Sequence, residues 1–554
     1  MKKTLLIAGL CSLCSLGFGQ KKAKSTITSA ASTTTLDRPK LVVGLVVDQM
    51  RWDYLYRYYD RYVQGGFKRM INEGFSAENT YIPYTPTYTA VGHTSIYTGS
   101  VPAITGIIGN NWFDPQTKKG VYCTDDSTVT GVGADNAAGK MSPRNLLSTT
   151  ITDELRLATN FQGKVIGLSL KDRGSILPAG HTPTGAYWYD GETGNWITST
   201  WYMKQLPAWI EQYNSRKVAN MYYNMDWNTL YPISTYTQST TDNKDYEGVT
   251  RGEQAPTFPH PLKLYTGKNY DMIRSTPYGN TITLDLAKVA INAEGLGQDN
   301  ITDFLAVSCS STDYVGHQYG PNSIEAEDTY LRLDKDIADF FDYLDKTVGK
   351  GKYLLFLSAD HGAAHVPGFM KENKMHAGLV DNKAIVNGLN TFLESRFKIK
   401  KPSLMAMNNQ IIFDHGNKDM KDLDFSAMKA ATIDYLRTYD GVADAVDLTR
   451  IASSTLPAIQ KEMITNGYNA RLSGDVYFIL QPNYFDGGKT GTTHGAWNPY
   501  DSHIPCVFMG WHVKPGKTNK TYHMTDIAPT IAAMLRIQMP NGNIGEPITE
   551  LTHQ

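Results

Sequence analysis

Four separate stretches of this chain run as a short apolar segment and then break directly into metal-ligating or cationic side chains. Leu41 to Val47 ends in Asp48, and Lys164 to Leu170 opens into Lys171, Asp172 and Arg173. Phe304 to Ser308 leads within a few residues to Asp313 and His317, and Tyr353 to Leu357 ends in Ser358, Ala359, Asp360 and His361. Apolar runs of this length, bounded by polar or glycine residues, read as strands buried on both faces, as in parallel sheets. Ligands of an open parallel sheet bind beyond the carboxyl ends of its strands, which is where all four polar groups would sit. The pattern predicts an α/β enzyme scaffold with a metal-rich site along one edge of the sheet.

The 554 residues carry 53 basic and 54 acidic side chains and are 41% hydrophobic, enough for a large core and with no charge bias toward nucleic acid or an anionic membrane. At the N-terminus, Lys2 and Lys3 precede an apolar stretch from Leu5 to Phe18, with Gly17 and Gly19 where a signal peptidase reads. A signal peptide over residues 1–19 is expected, with cleavage near Gln20 and export to the periplasm or the medium. Leu10 and Leu13, bulky and immediately before Cys11 and Cys14, argue against lipidation. No later segment approaches the roughly 18 apolar residues of a membrane span, so the mature chain is expected to be soluble and monomeric. Its three remaining cysteines, Cys123, Cys309 and Cys506, allow at most one disulfide, and the strand-like contexts of Cys309 and Cys506 suit buried thiols.

Residues 20–40, rich in Ser, Thr, Ala and Lys, read as a flexible segment. The candidate ligands extend from Asp48 to beyond Thr490, so one core must be interrupted by insertions. Core parts are expected at 41–181, 300–381 and 489–554. An aromatic-rich stretch at 182–299 reads as a folded cap, because a structureless loop of that length would be anomalous. Residues 382–488, with an amphipathic Phe425 to Arg437 and a strand-like Val476 to Leu480, read as an α+β lobe.

Asp313 and His317 are spaced i, i+4 and share a face if Tyr314 to Gly316 form a helical turn. Asp360 and His361 would point apart in a strand and converge only if the strand has ended, which Gly362 supports. Mixed carboxylate and imidazole donors suit zinc, whereas magnesium and calcium favour oxygen. One Asp–His pair is ordinarily a surface ion pair. Two such pairs plus Asp48, each at a strand end, point to metal. A further stretch, Pro86 to Ser95, reads as a helix start with a threonine hydroxyl near backbone N–H groups, a natural anion site. Spacing alone leaves Thr85, Thr87, Thr89 and Thr94 all open.

Six motifs in order carry a family resemblance: Thr87 to Ser95, Gly109 to Asp114, Ser169 to Gly174, Thr312 to His317, Ser358 to Gly362 and Thr492 to Gly495. Together they resemble the alkaline phosphatase superfamily, and within it the exported, phosphate-irrepressible branch, over the whole mature chain. The resemblance implies a three-layer α/β sandwich with a largely parallel central sheet, two inserted lobes and two Zn2+ ions. It places Asp313, His317 and His494 on the first zinc, and Asp48, Asp360 and His361 on the second. Thr89 would be the nucleophile, its oxygen on the second zinc, giving a phospho-threonine.

Substrate class rests on Asn110, Lys171 and Arg173. A phosphate monoester presents one more charged nonbridging oxygen than a diester, so extra cationic donors reward the monoester transition state. Lys171 and Arg173 would face the same side of an extended segment. In this branch the lysine stands where other alkaline phosphatases hold magnesium, which implies no third metal. The expected substrates are small phosphate monoesters of broad range. The nearest alternative is a nucleotide pyrophosphatase/phosphodiesterase, in which the aromatic insertion could stack a base. A sulfatase would need a C/S-x-P-x-R signature, which none of the three cysteines begins. A non-catalytic exported zinc- or carbohydrate-binding protein would be expected to lack a nucleophile, a ligand or the cationic pair, and none is missing. His93 and His365 are expected to orient ligands, and His181, His376 and His503 to be structural or to line the cleft.

Overall fold

The computed structural model describes residues 36–552. The signal peptide expected over 1–19, with Cys11 and Cys14, and most of the segment expected over 20–40 lie outside the described residues. Each of the four apolar runs is a strand: β1 (Leu41–Val47), β2 (Val165–Ser169), β3 (Asp303–Cys309) and β4 (Tyr353–Ser358). Every residue of the four is buried, so alternate side chains on both faces are covered. All run parallel in the spatial order β4, β1, β3, β2, with Gly185–Asp190 parallel beside β2. The carboxyl ends of all four therefore open on one side, and β1 sits between β4 and β3 with Asp48 just past its end.

The sheet has 11 strands and is mixed at its margins. Cys506–Gly510 runs antiparallel to β4, and Phe75–Tyr81 antiparallel to that strand in turn. Helix Tyr278–Glu294 packs beside Ile324–Leu344, and α1 (Thr89–Thr98) packs beside α2 (Asp172–Ala179). This is the α/β architecture with a largely parallel central sheet that the apolar runs and the motifs imply.

The stretch 182–299, expected as a cap, is partly inside the core. Tyr187, Trp188 and Tyr189 lie on the strand Gly185–Asp190, and the sheet continues into Asn195–Ser199. Tyr187, Trp188 and Tyr189 are buried at the sheet margin, where aromatic residues suit a strand as well as they would a cap. Residues 382–488 carry a four-stranded antiparallel sheet with its own apolar cluster, in which Phe413 and Phe478 pack with Leu389 and Leu436 of two helices. The three described cysteines are buried free thiols.

Candidate active site

Five ligand candidates sit just past the ends of three strands. The backbone leaves β1 at Val47, and Gln49 follows Asp48 in the left-handed region at φ 64°. Past β3 the chain enters α3 (Ser311–Tyr319), whose first turns place Asp313 and His317 on one face, with His317 Nε2 3.1 Å from Asp313 Oδ1. Past β4 the strand ends at Ser358, and the Asp360–His361 pair converges, His361 Nε2 lying 3.5 Å from Asp360 Oδ2 and 3.6 Å from Asp48 Oδ1.

All three histidines expected as ligands are held alike. His317 Nδ1 bonds the Thr492 carbonyl at 2.8 Å, His361 Nδ1 the Gly362 carbonyl at 2.9 Å, and His494 Nδ1 the Thr87 carbonyl at 2.7 Å. A carbonyl only accepts, so each Nδ1 carries the proton and each Nε2 lone pair is left to face the site. Such backbone anchoring is how metal-ligating imidazoles are oriented. The rings of His361 and His494 stack at 3.4 Å, with His317 5.1 Å from His494. His93 differs: Nδ1 is taken by the Thr89 carbonyl at 2.9 Å and Nε2 by Ser308 Oγ at 2.8 Å, so it is no ligand, although Nδ1 also lies 3.2 Å from Asp360 Oδ2. His365 bonds Asn322 and Arg51, while His181, His376 and His503 bond Asp153, Gln481 and the Glu78 carbonyl, outside the ligand cluster.

Two convergent donor sets result, Asp313–His317–His494 and Asp48–Asp313–His361, each with its donor atoms within 4.8 Å of one another. Asp313 belongs to both. Asp360, expected beside Asp48 and His361, adjoins the second set: its Oδ1 accepts from the backbone N–H of Gln49 and of His361, and its Oδ2 turns toward His361. Asp48 Oδ1 and Asp360 Oδ2 are fully buried without a hydrogen-bond partner. Orphaned carboxylate oxygens beside free imidazole lone pairs are costly unless a cation joins them, so the donor set fits zinc. Burial pushes Asp48 well above the ordinary carboxylate range, with Asp360 adding to it and Lys171 opposing. Burial likewise pushes His494 well down, helped by His361 and His317.

Thr89 opens α1, and its Oγ1 lies 3.4 Å from His361 Nε2. The other threonine candidates are committed elsewhere: Thr85 to Tyr477, Thr87 to the Ala496 carbonyl, and Thr94 to the Ala90 carbonyl. Gly92 lets α1 approach this closely, because a Cβ there would come within 2.3 Å of the Asp360 carbonyl oxygen. Asn110 Oδ1 accepts from Ala90 N at 2.9 Å, which fixes its amide beside the start of the same helix.

Lys171 and Arg173 do not lie on one side of an extended segment, as expected. Lys171 is the extended residue preceding α2 and Arg173 is already inside that helix, so the extended segment is absent, yet both side chains line one cavity with Tyr122 and Tyr314. Lys171 Nζ sits 2.6 Å from both Asp48 Oδ2 and Asp313 Oδ2, whereas Arg173 Nη1 donates to Tyr122 Oη at 3.0 Å and its Nε is buried without a partner. Burial acts against the Lys171 charge, but Asp313 and Asp48 together raise the lysine above its usual range. Two positioning residues carried no sequence signal. Gln49 donates through Nε2 to Asp313 Oδ1 at 2.6 Å, and Tyr122 joins Arg173 to Asp172 Oδ1, 2.8 Å away.

A family profile described as type I phosphodiesterase / nucleotide pyrophosphatase matches residues 42–501. The chain is 59% identical over 552 residues to alkaline phosphatase PhoV of Synechococcus elongatus, covering 100% of both chains. It is 57% identical over 524 residues to a Myroides odoratus protein named a calcium-transporting ATPase, covering 94% of this chain and 96% of that one. The fold matches the crystal structure of alkaline phosphatase PafA with a TM-score of 0.92 at 52% identity, covering 94% of this chain and 100% of that one. The chain belongs to the type I phosphodiesterase / nucleotide pyrophosphatase family, within the alkaline phosphatase superfamily.

Proposed function

We propose that this chain is an exported, zinc-dependent alkaline phosphatase that hydrolyses a broad range of phosphate monoesters through a phosphorylated Thr89. The observation that carries the reading is the trio His317, His361 and His494, each with Nδ1 tied to a backbone carbonyl and Nε2 turned toward Asp48, Asp313 and Asp360. Asp313, His317 and His494 would hold one ion, and Asp48, Asp360 and His361 the other. Bound zinc supplies Lewis acidity, which lowers the pKa of coordinated water from 15.7 toward about 7 and stabilises negative charge on oxygen.

The chain's own groups do the rest. Thr89 Oγ attacks phosphorus while the bond from phosphorus to the alcohol oxygen breaks, leaving phosphate on Thr89 and releasing the alcohol. Water then attacks the phospho-threonine and frees Thr89 with inorganic phosphate. Asn110, whose Oδ1 is occupied by Ala90 N, offers its amide N–H groups to a phosphoryl oxygen. Lys171 and Arg173 add cationic charge on the phosphoryl side, which rewards the extra charge of a monoester.

The nucleotide pyrophosphatase/phosphodiesterase reading shares the ligands and the nucleophile, and the cationic pair favours the monoester. The ATPase name of the Myroides relative is compatible with terminal phosphate hydrolysis, and no helix among the described residues is long and apolar enough to cross a membrane. A non-catalytic zinc- or carbohydrate-binding protein would have no need of a Thr89 hydroxyl facing the ligands. Acid quenching during turnover of an aryl phosphate, followed by peptide mass spectrometry, tests the chemistry. Phosphate is expected on the peptide carrying Thr89, and its absence in rapidly quenched, active samples would contradict a covalent route.

A further inference from the structure

Beside His494 lies a cavity of about 110 Å³ that the reaction as described does not use. The catalytic core contributes Tyr88, adjacent to Thr89, and Asp501; the lobe over 382–488 contributes Tyr484, Phe485 and Asp486. His494 itself is part of the wall, and Tyr88 packs edge-on against its ring at 5.6 Å between centroids. The cavity therefore adjoins the site through His494 and through Tyr88, the neighbour of Thr89.

The lining presents aromatic rings, two carboxyl groups and three asparagine amides, and no lysine or arginine among the described residues. Asp501 is 1% exposed, its Oδ2 accepts from Ala496 N at 2.7 Å, and its Oδ1 has no hydrogen-bond partner. A buried, unpaired carboxyl oxygen is costly to leave unmet. Asp486 stands exposed at the rim. Aromatic faces with carboxylates favour cations, above all alkylated ammonium groups, whose weak hydration makes desolvation cheap. Burial pushes Asp501 up to about 8 against the backbone N–H groups of Ala496 and Gly495 and the charge of Arg51, and an ammonium beside it would favour the ionised form further. The volume suits a compact head group, since a cavity near 150 Å³ accepts a benzene ring.

We infer that this cavity is a leaving-group subsite for phosphate monoesters of amino alcohols, in which Asp501, Tyr88, Tyr484 and Phe485 receive an ammonium head joined by a short carbon chain to the ester oxygen. The inference rests on the monoesterase reading above and adds a selectivity that the phosphoryl-gripping groups do not give. It also assigns a role to the lobe over 382–488, which supplies part of the lining.

The test compares kcat/KM for choline phosphate with that for 3,3-dimethylbutyl phosphate, its uncharged isostere, on the zinc-loaded full chain, with an aryl phosphate as the reference substrate. A preference of about tenfold for the charged ester is expected, from one desolvated cation–π and carboxylate contact. Asp501→Asn and Tyr484→Leu should each bring the ratio toward one, and Asp486→Asn at the exposed rim gives a weaker loss of preference that does not depend on a core substitution. Equal kcat/KM for the two isosteres in an enzyme that turns over the aryl phosphate would overturn the subsite and leave the monoesterase reading standing. No turnover of any of the three would overturn both.

Discussion

Lys171 Nζ lies 2.6 Å from a carboxylate oxygen of Asp48 and 2.6 Å from one of Asp313, joining the two donor sets through one buried ammonium. The lysine neutralises the carboxylates between the sets, and in the proposed function it also presents charge to the phosphoryl group. Lys171→Ala should lower monoester kcat/KM by about 100-fold, the scale for removing one group aimed at developing charge. The matched diester should lose far less. Metal analysis of the same variant separates the two jobs: retained zinc with a collapsed monoester preference supports the phosphoryl role, and equal losses on both substrates would assign Lys171 to holding the site together.

Thr89 is the one threonine of its segment whose hydroxyl faces the ligands, at 3.4 Å from His361 Nε2. Thr89→Ala should reduce turnover by about a thousandfold or more while zinc stays bound. Thr89→Ser, which keeps the oxygen, should retain a measurable fraction. Full activity in the alanine variant would remove Thr89 from the nucleophile's role.

Tyr122 is the positioning residue for Arg173. It accepts from Arg173 Nη1 at 3.0 Å and donates to Asp172 Oδ1 at 2.8 Å. Tyr122→Phe removes one hydrogen bond on the guanidinium, so a loss of about fivefold in the ratio of monoester to diester kcat/KM is expected. An unchanged ratio with lowered thermal stability would mean that the tyrosine only packs.

A pH effect on stability is predicted away from the site. His260 lies 3.0 Å from Glu253 Oε2 and 3.2 Å from Glu325 Oε1. Burial opposes its charge, yet the two glutamates raise it to about 9. A histidine raised above its unfolded value of about 6.5 contributes fully below that pH and loses the contribution as pH climbs through 9. Glu247 beside the cluster, which burial pushes up to about 9, shifts stability in the same direction. Urea unfolding should therefore show His260→Gln costing on the order of 2–3 kcal/mol near pH 6 and much less above pH 9. A pH-independent cost would mean that His260 acts through packing alone.

Much of this fold was legible because its strands are buried on both faces, so β1 to β4 appear as unbroken apolar runs whose ends mark Asp48, Lys171, Asp313 and Asp360. The i, i+4 spacing of Asp313 and His317 encodes their shared face. His494 was not legible from spacing, because it sits on an irregular loop anchored to the Thr87 carbonyl, a contact across 407 positions of sequence. Gln49 and Tyr122 escaped for the same reason, since their partners are distant in the chain. The aromatic stretch after residue 182 misled because tyrosine and tryptophan suit a buried sheet margin as well as a cap. That Arg173 sits in a helix rather than an extended segment depends on where that helix begins, the boundary that patterns define least well.

The central claim is that a zinc-assisted site in this chain is built to read the charge of a phosphate monoester. Its most direct test is kcat/KM for a matched aryl phosphate monoester and diester, measured on the zinc-loaded protein, after chelation, and after zinc is restored. A strong monoester preference that vanishes on chelation and returns with zinc is the predicted result. A diester preference, or monoester turnover that survives removal of the metal, would contradict it.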